Sequence, residues 1–323
     1  MKVHILDDWH DTLRGLSSFG ALAEHQVTVW TDHCTGADAL AERLSDAEAL
    51  VLFRERTPIT EALLARLPKL KMIAMRGAHP HVDVAACTRH GVLFCSDISA
   101  GSPSVATAEL ALGLLIASAR DLRGQNARLR AGLWQGPPGQ TLAGRRLGLL
   151  GYGKIARQVA GYARALGMQV WFWASPEGRA RAEAAGETVA PSRQAFFAQS
   201  DAVSVHLRLT PSTRGIVTAD DLLSMKPNAH FLNTSRAGLV EPGALMTALA
   251  AGRPGRLALD VFDTEPLTDP HDALINHPRV TATPHIGFVT EDELDHQFAD
   301  AYALVNAFAE GAPIHAVNPQ VLP

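Results

Sequence analysis

From end to end the chain alternates short aliphatic runs with longer stretches whose apolar residues recur at helical spacing. Early runs fall at residues 3–6, 27–30, 49–53, 71–75 and 92–95, with helical patterns at 37–44 and 61–66 between them. Six more runs follow at 147–150, 170–173, 202–206, 230–233, 257–261 and 280–283, again separated by helical segments. Strand–helix alternation of this kind builds parallel sheets covered by helices on both faces. The fold class is therefore α/β, with one compact unit over roughly the first 98 residues and a second, doubly wound sheet beyond it. A dinucleotide would bind the second sheet at its switch point.

The join between the units is legible too. Ser102 in Gly101-Ser102-Pro103 is placed to cap a helix, with Pro103 at its first position. The stretch 104–119 is apolar on most sides and is expected to be a buried crossover helix ended by Arg120 and Arg123, which suit the negative end of the helix dipole. A Gly- and Pro-rich loop follows at 132–139. The segment 291–310 reads as a helix returning to the first unit.

Composition narrows the class. Of 323 residues, 47% are hydrophobic and 19% charged, which suits a folded protein with a large core rather than a disordered chain. The net charge of −4 offers no basic footprint for nucleic acid and none for an anionic membrane surface. No apolar stretch is long enough to span a bilayer. The start, MKVHILDDWHD, reads as a first strand rather than a signal peptide. Cys34, Cys87 and Cys95 form a sparse, odd set with no CxxC, as expected of reduced thiols in a cytoplasmic protein, and are expected to be small buried hydrophobes. No metal site is expected: His79, His81 and Asp83 lie close together but lack further ligands.

Two constellations carry chemistry. The first is Gly148-Leu149-Leu150-Gly151-Tyr152-Gly153-Lys154-Ile155-Ala156, a G-x-G-x-x-A turn after an apolar strand and before a helical pattern (Ile155, Val159, Ala163, Leu166) closed by Gly167. Gly151 would allow the tight turn, Gly153 the close approach of a pyrophosphate, and Ala156 the packing of helix on strand. The helix start at Lys154 and Ile155 would present N–H groups to phosphates. The acid expected at the end of the next strand is missing, because Ala174 and Ser175 stand there, followed by Arg179 and Arg181. Nothing there repels a 2′-phosphate, and Arg179 can pair with one. NADP(H) is therefore expected to be tolerated alongside NAD(H). Ser175 and His206 are further candidate cofactor contacts.

The second constellation is Asn233-Thr234-Ser235-Arg236, Asp260, Asp263-Thr264-Glu265-Pro266 and Thr283-Pro284-His285-Ile286-Gly287. Each polar residue falls at or just past the end of a strand-like run, the edge that faces the ligand crevice in open α/β sheets. With Glu55-Arg56-Thr57-Pro58-Ile59, Ala108-Glu109-Leu110 and Met225-Lys226-Pro227, these motifs make nearly the whole chain resemble the D-isomer-specific 2-hydroxyacid dehydrogenase family.

The resemblance implies a Rossmann dinucleotide-binding domain (101–288) inserted into a flavodoxin-like substrate domain (1–100 and 289–323), usually in a homodimer packed through the crossover-helix region. It implies a catalytic trio of Arg236, Glu265 and His285. Arg236 would bind the substrate carboxylate, His285 would exchange the proton, and Glu265 would hold its ring. It also implies that Asp260 faces the nicotinamide carboxamide, that Thr234 and Ser235 line the same pocket, and that Gly77 and Ala78 receive the substrate carboxylate.

The loop Arg76-Gly77-Ala78-His79-Pro80-His81 is more polar than the family's usual loop. Either the pocket is polar or these side chains face solvent, and we expect solvent. Arg208, where the family often has Pro, would lie near the adenine pocket. Formate dehydrogenases pair the histidine with Gln instead of Glu. Phosphite-type dehydrogenases and dinucleotide-sensing corepressors keep the trio and remain alternatives at this point.

Overall fold

The computed structural model describes residues 1–9, 11–97 and 105–322. The expected cap at Ser102 and Pro103 lies outside them. The chain divides into two compact units, Met1–Pro103 with Thr290–Pro323, and Ser104–Val289.

The first unit runs β1 (Lys2–Ile5), β2 (Gln26–Val29), α1 (Ala37–Arg43), β3 (Ala49–Val51), α2 (Glu61–Leu64), β4 (Met72–Arg76), α3 (Val84–Arg89) and β5 (Leu93–Asp97). Its five strands are all parallel, in the order β2-β1-β3-β4-β5. Every residue of β3 and β4 is buried, as strands covered on both faces require. Leu50, Ile73 and Phe94 pack with Leu40, Leu44, Leu63 and Leu64 on one side of the sheet.

The last long helix of the chain, α12 (Glu291–Ala309), belongs to this unit and packs on β3, β4 and β5. Leu294, Phe298, Ala301, Tyr302 and Val305 form its buried stripe, and the Thr290 hydroxyl caps it by accepting from the Glu293 N–H. The C-terminal segment is pinned by Asn318. Its side chain accepts from the Phe94 N–H at 2.7 Å and donates to the Val92 carbonyl at 2.9 Å and the Thr88 hydroxyl at 3.1 Å.

The second unit runs α4 (Val105–Arg120), α5 (Leu122–Arg130), β6 (Arg146–Leu150), α6 (Lys154–Ala165), β7 (Gln169–Trp173), α7 (Pro176–Ala184), α8 (Arg193–Gln199), β8 (Ala202–Val205), α9 (Ala219–Ser224), β9 (His230–Asn233), α10 (Ala244–Ala251), β10 (Arg256–Leu259), α11 (Ala273–Asn276) and β11 (Val280–Ala282). The sheet order is β11-β10-β9-β8-β6-β7, all parallel, and Val189 forms a single parallel bridge to Phe172 beyond β7. The order reverses at β6 and β8, so the crevice sits where those strands end. Alternate residues feed opposite layers. Leu147, Leu149 and Phe172 pack with α4 and α6, while Leu150, Trp171, Val203 and Phe231 pack on the other side.

The crossover helix differs from expectation. It stops at Arg120, because Asp121 adopts a left-handed conformation (φ +49°), and Arg123 lies in the separate helix α5. Arg123 reaches the carbonyls of Ile275, His277 and Val280 instead of ending α4. Nor is α4 buried all round, since Glu109 and Gly113 are exposed while Ala108, Ala111, Leu114, Leu115, Ser118 and Ala119 face the core.

Replacing Asn318 with Ala would leave the Phe94 N–H and Val92 carbonyl buried without partners. Each such orphan costs about 1–3 kcal/mol, so for the two we expect a loss of about 2–6 kcal/mol. A denaturant midpoint that does not move would contradict this.

Candidate functional site

The glycine turn lies between β6 and α6, as its spacing requires. Gly151 has φ +111°, and a Cβ there would come within 2.4 Å of the His206 carbonyl oxygen, so both backbone conformation and close approach demand glycine. Gly153 differs. A Cβ there would meet nothing within 4 Å. The open space over Gly153 is a cradle at the N-terminus of α6, next to the N–H groups of Lys154 and Ile155, and it fits a pyrophosphate. Ala156 is fully buried against the sheet.

Past β7, Ser175 caps α7 by accepting from the Gly178 N–H at 3.2 Å. The Arg179 guanidinium stacks over the Trp173 ring at 4.3 Å and donates to the Ala174 carbonyl at 2.8 Å, so it is held at the strand end. Past β8, His206 lies 2.9 Å from the Ser204 hydroxyl through Nε2, and burial pushes its pKa down to about 4. It is therefore a neutral ring at pH 7.

Beyond β9, β10 and β11 the second constellation comes together. Asn233 makes an Asx-type clamp: its side-chain oxygen accepts from the Ser235 N–H at 3.0 Å, and its amide donates to the Arg236 carbonyl at 2.9 Å. The Ser235 hydroxyl donates to the Val205 carbonyl, and the Arg236 guanidinium donates to the Ser235 carbonyl. The Thr234 hydroxyl is buried without a hydrogen-bond partner among the described residues.

Asp260, at the end of β10, is completely buried. Its Oδ1 accepts from the Thr283 hydroxyl at 2.6 Å and the Ile286 N–H at 2.9 Å, and its Oδ2 from the Gly287 N–H at 2.9 Å. Burial raises its pKa, while those donors pull the other way. Whatever Asp260 offers a nicotinamide, its first task is within the chain: it fastens the 283–287 loop to the end of the neighbouring strand. Asn233 and Thr283 lie in the constellation singled out from the sequence, but no role was assigned to either there. Their signal is local, an Asx residue at a strand end and a threonine just past the end of the strand beside a buried acid.

The fastened loop holds His285 at φ +54°, an unusual conformation for a non-glycine residue. His285 Nδ1 is 2.5 Å from Glu265 Oε2, and Glu265 Oε1 accepts from the Phe262 N–H at 2.8 Å. The His285 ring meets Phe288 edge-on at 5.8 Å. Burial alone would raise the Glu265 pKa. The His285 hydrogen bond and charge, the Phe262 N–H and the Arg236 guanidinium outweigh it and hold the carboxyl below its ordinary value. Because the shift is downward, the carboxylate's support of the ring is complete above 4.5 and is lost as pH falls through the depressed value. A carboxylate on Nδ1 fixes the tautomer with the proton there, leaving Nε2 to exchange protons.

In the first unit, Gly77 has φ +95° and its N–H is taken by the Asp97 carbonyl at 3.2 Å, so it is not free to receive a carboxylate as expected, whereas Ala78 is exposed. The expectation that Arg76, His79 and His81 face solvent fails for Arg76 and for the ring nitrogens of His81, while His79 is half-buried. Arg76 is buried, its Nε 3.0 Å from Asp300 of α12. His79 stands edge-on to Phe94 at 4.9 Å, and both ring nitrogens of His81 are buried.

These features match known proteins. The model of the D-isomer specific 2-hydroxyacid dehydrogenase NAD-binding domain covers residues 112–287. A phosphoglycerate oxidoreductase from Vibrio cholerae superposes with a TM-score of 0.92 at 44% identity, over 97% of this chain and all of that one. A 4-methyl-2-oxopentanoate reductase from Aspergillus oryzae is 34% identical over 84% of each chain. A D-3-phosphoglycerate dehydrogenase from Methanocaldococcus jannaschii is 34% identical over 90% of this chain but only 54% of its own length. The chain thus spans about half the length of the phosphoglycerate dehydrogenases it matches. By its glycine turn, its Arg–Glu–His strand-end set and these likenesses, the chain belongs to the D-isomer specific 2-hydroxyacid dehydrogenase family.

Proposed function

We propose that this chain is an NAD(P)-dependent oxidoreductase that interconverts a 2-oxo acid and the corresponding D-2-hydroxy acid. The observation that carries the reading is the 2.5 Å contact between Glu265 and His285 Nδ1, at strand ends that also present Arg236.

A bound nicotinamide would supply or accept the hydride at carbon 2 of the substrate. Gly151, Gly153 and the N–H groups of Lys154 and Ile155 would hold its pyrophosphate, with Ser175, Arg179, His206, Thr234 and Ser235 along the rest of the cofactor. Three of the four lone-pair positions of the Asp260 carboxylate are taken by its own chain, which leaves one on Oδ2 for a carboxamide N–H. Arg236 pairs with the substrate carboxylate and polarises the carbonyl. In reduction, His285 Nε2 gives its proton to the carbonyl oxygen as negative charge develops there, and Glu265 stabilises the imidazolium while it waits. In oxidation the neutral ring takes the hydroxyl proton.

His285→Ala should lower kcat by about 10²–10⁴, the usual size of a general acid–base contribution. Arg236→Ala should raise KM for the 2-oxo acid and lower kcat, with dinucleotide affinity nearly intact. Glu265→Gln removes the charge that favours the imidazolium, so the pH at which reduction falls off should move down. Unchanged kcat/KM in the Arg236 or His285 variant would defeat the assignment. Bound dinucleotide without turnover across a 2-oxo acid panel would make the chain a dinucleotide sensor instead.

For the cofactor, the domain supports NAD(H), and we propose that NADP(H) is accepted as well. No carboxylate closes β7, and Arg179 is fixed beside its end. Assays with NADH and NADPH in parallel should give kcat/KM values within a hundredfold of each other. A larger preference for NADH would reject tolerance.

We also propose a cytoplasmic homodimer. Cys87 and Cys95 are free, buried thiols whose pKa is pushed up to about 11 by burial, as suits a reducing compartment. Leu122 and Leu129 of α5, with Leu133 and Trp134 just after it, are large apolar residues left exposed, Trp134 by 71%. Leu129→Asp with Trp134→Asp should shift the sedimenting species from dimer to monomer. A monomeric parent protein, or a doubly substituted dimer, would refute that interface.

A further inference from the structure

Thr107 stands in the first turn of α4, one turn before Ala111, and α4 packs on β9, β10 and β11. A threonine hydroxyl on a helix commonly returns to a carbonyl of its own preceding turn. That of Thr107 leaves the helix instead and donates to the Gly287 carbonyl at 2.8 Å. The bond joins residues 180 positions apart, so no local preference places it.

Gly287 is buried, and both of its backbone groups are taken. Its N–H goes to Asp260 Oδ2 at 2.9 Å, at the end of β10, and its carbonyl goes to Thr107 in the helix layer. The fit is close, for a Cβ at 287 would stand 3.1 Å from Asp260 Oδ2 and 3.4 Å from the Thr107 methyl group. Asp260 holds the loop through the N–H groups of Ile286 and Gly287. A segment held from one side can still pivot about its anchor. Thr107 supplies a second anchor from a different element and removes that freedom.

The His285 ring rides on this loop, two residues before Gly287, on a left-handed backbone with φ +54°. Such a conformation persists where the surroundings over-determine it. Glu265 on Nδ1 and the edge of Phe288 orient the ring, while the loop backbone sets where it stands. We propose that Thr107 is a positioning residue for His285: by holding the Gly287 carbonyl, it fixes where Nε2 stands for proton exchange. This role deepens the functional reading above and rests on it, for it places a control of the proton transfer on the crossover helix, outside the Arg236, Glu265 and His285 set.

Thr107→Val keeps the shape of the side chain and deletes the hydroxyl. A misplacement of about 1 Å can cost about a hundredfold in rate, so the smaller shift of a loop that keeps its Asp260 anchor should lower kcat by about tenfold. KM for the 2-oxo acid and the dinucleotide Kd should stay within about twofold, since binding and positioning separate in this way. Thr107→Ser retains the hydroxyl and should restore most of kcat. In a His285→Asn background, where the proton donor is gone and the left-handed backbone is still tolerated, Thr107→Val should cost nothing further.

A wild-type kcat in Thr107→Val overturns the inference while the dehydrogenase reading stands. So does a serine variant as slow as the valine one, which would make the methyl packing the cause, or a valine effect undiminished in the His285→Asn background. The His285 ring nitrogens give a readout that needs no turnover. Their NMR resonances, assigned by their loss in His285→Asn, should shift in Thr107→Val and return in Thr107→Ser. If no 2-oxo acid is turned over, the dehydrogenase reading fails, and unmoved resonances then overturn the positioning role by themselves.

Discussion

The geometry of the strand-end cluster in the second unit hangs on one buried carboxylate. Asp260 lies at the end of β10 with no exposed surface and gathers the Thr283 hydroxyl and the N–H groups of Ile286 and Gly287. From the other side, the Thr107 hydroxyl of α4 donates to the Gly287 carbonyl at 2.8 Å. A loop tied at so many points has little freedom, and it carries His285 in a left-handed conformation that a free chain would rarely visit. The His285–Glu265 contact is thus a consequence of Asp260 as much as of its own two residues. A carboxylate buried at this cost persists because its donors are in place before any ligand arrives.

The electrostatics sort the polar groups by task. Glu265 is held ionised by the imidazole and guanidinium around it. His206, with no such partner, is held neutral by burial. An ionised carboxylate beside one histidine and a desolvated environment around another set two imidazoles in opposite surroundings. In the first unit, Asp7 takes the organising part that Asp260 takes in the second, joining the loops after β1, β2 and β3 through Thr57, His33 and its own carbonyl, to which Arg56 donates. Both sheets therefore order one edge in one way: a buried acid at a strand end ties together loops that are far apart along the chain.

Much of this was legible beforehand, for physical reasons. Strands buried on both faces must be apolar at nearly every position, so residues 147–150 and 230–233 marked β6 and β9 to within a residue. The glycine at 151 is demanded by backbone conformation, and such demands write themselves into residue type. The stop at Asp121 was not legible. An aspartate in a left-handed conformation, bound to Arg256 of β10 at 3.0 Å, depends on a partner that no local pattern announces.

The sequence by itself determined the strand–helix alternation, the glycine turn and the placing of arginine, glutamate and histidine past the ends of successive strands. These follow from local rules of burial, backbone freedom and strand-end position. The tertiary structure alone decided which way the side chains of the 76–81 loop turn. Arg76 goes inward because Asp300 of α12 neutralises it, and His79 because Phe94 offers its ring. The direction of a long polar side chain is set by whichever charge or surface the fold brings beside it, and that neighbour comes from a distant part of the chain.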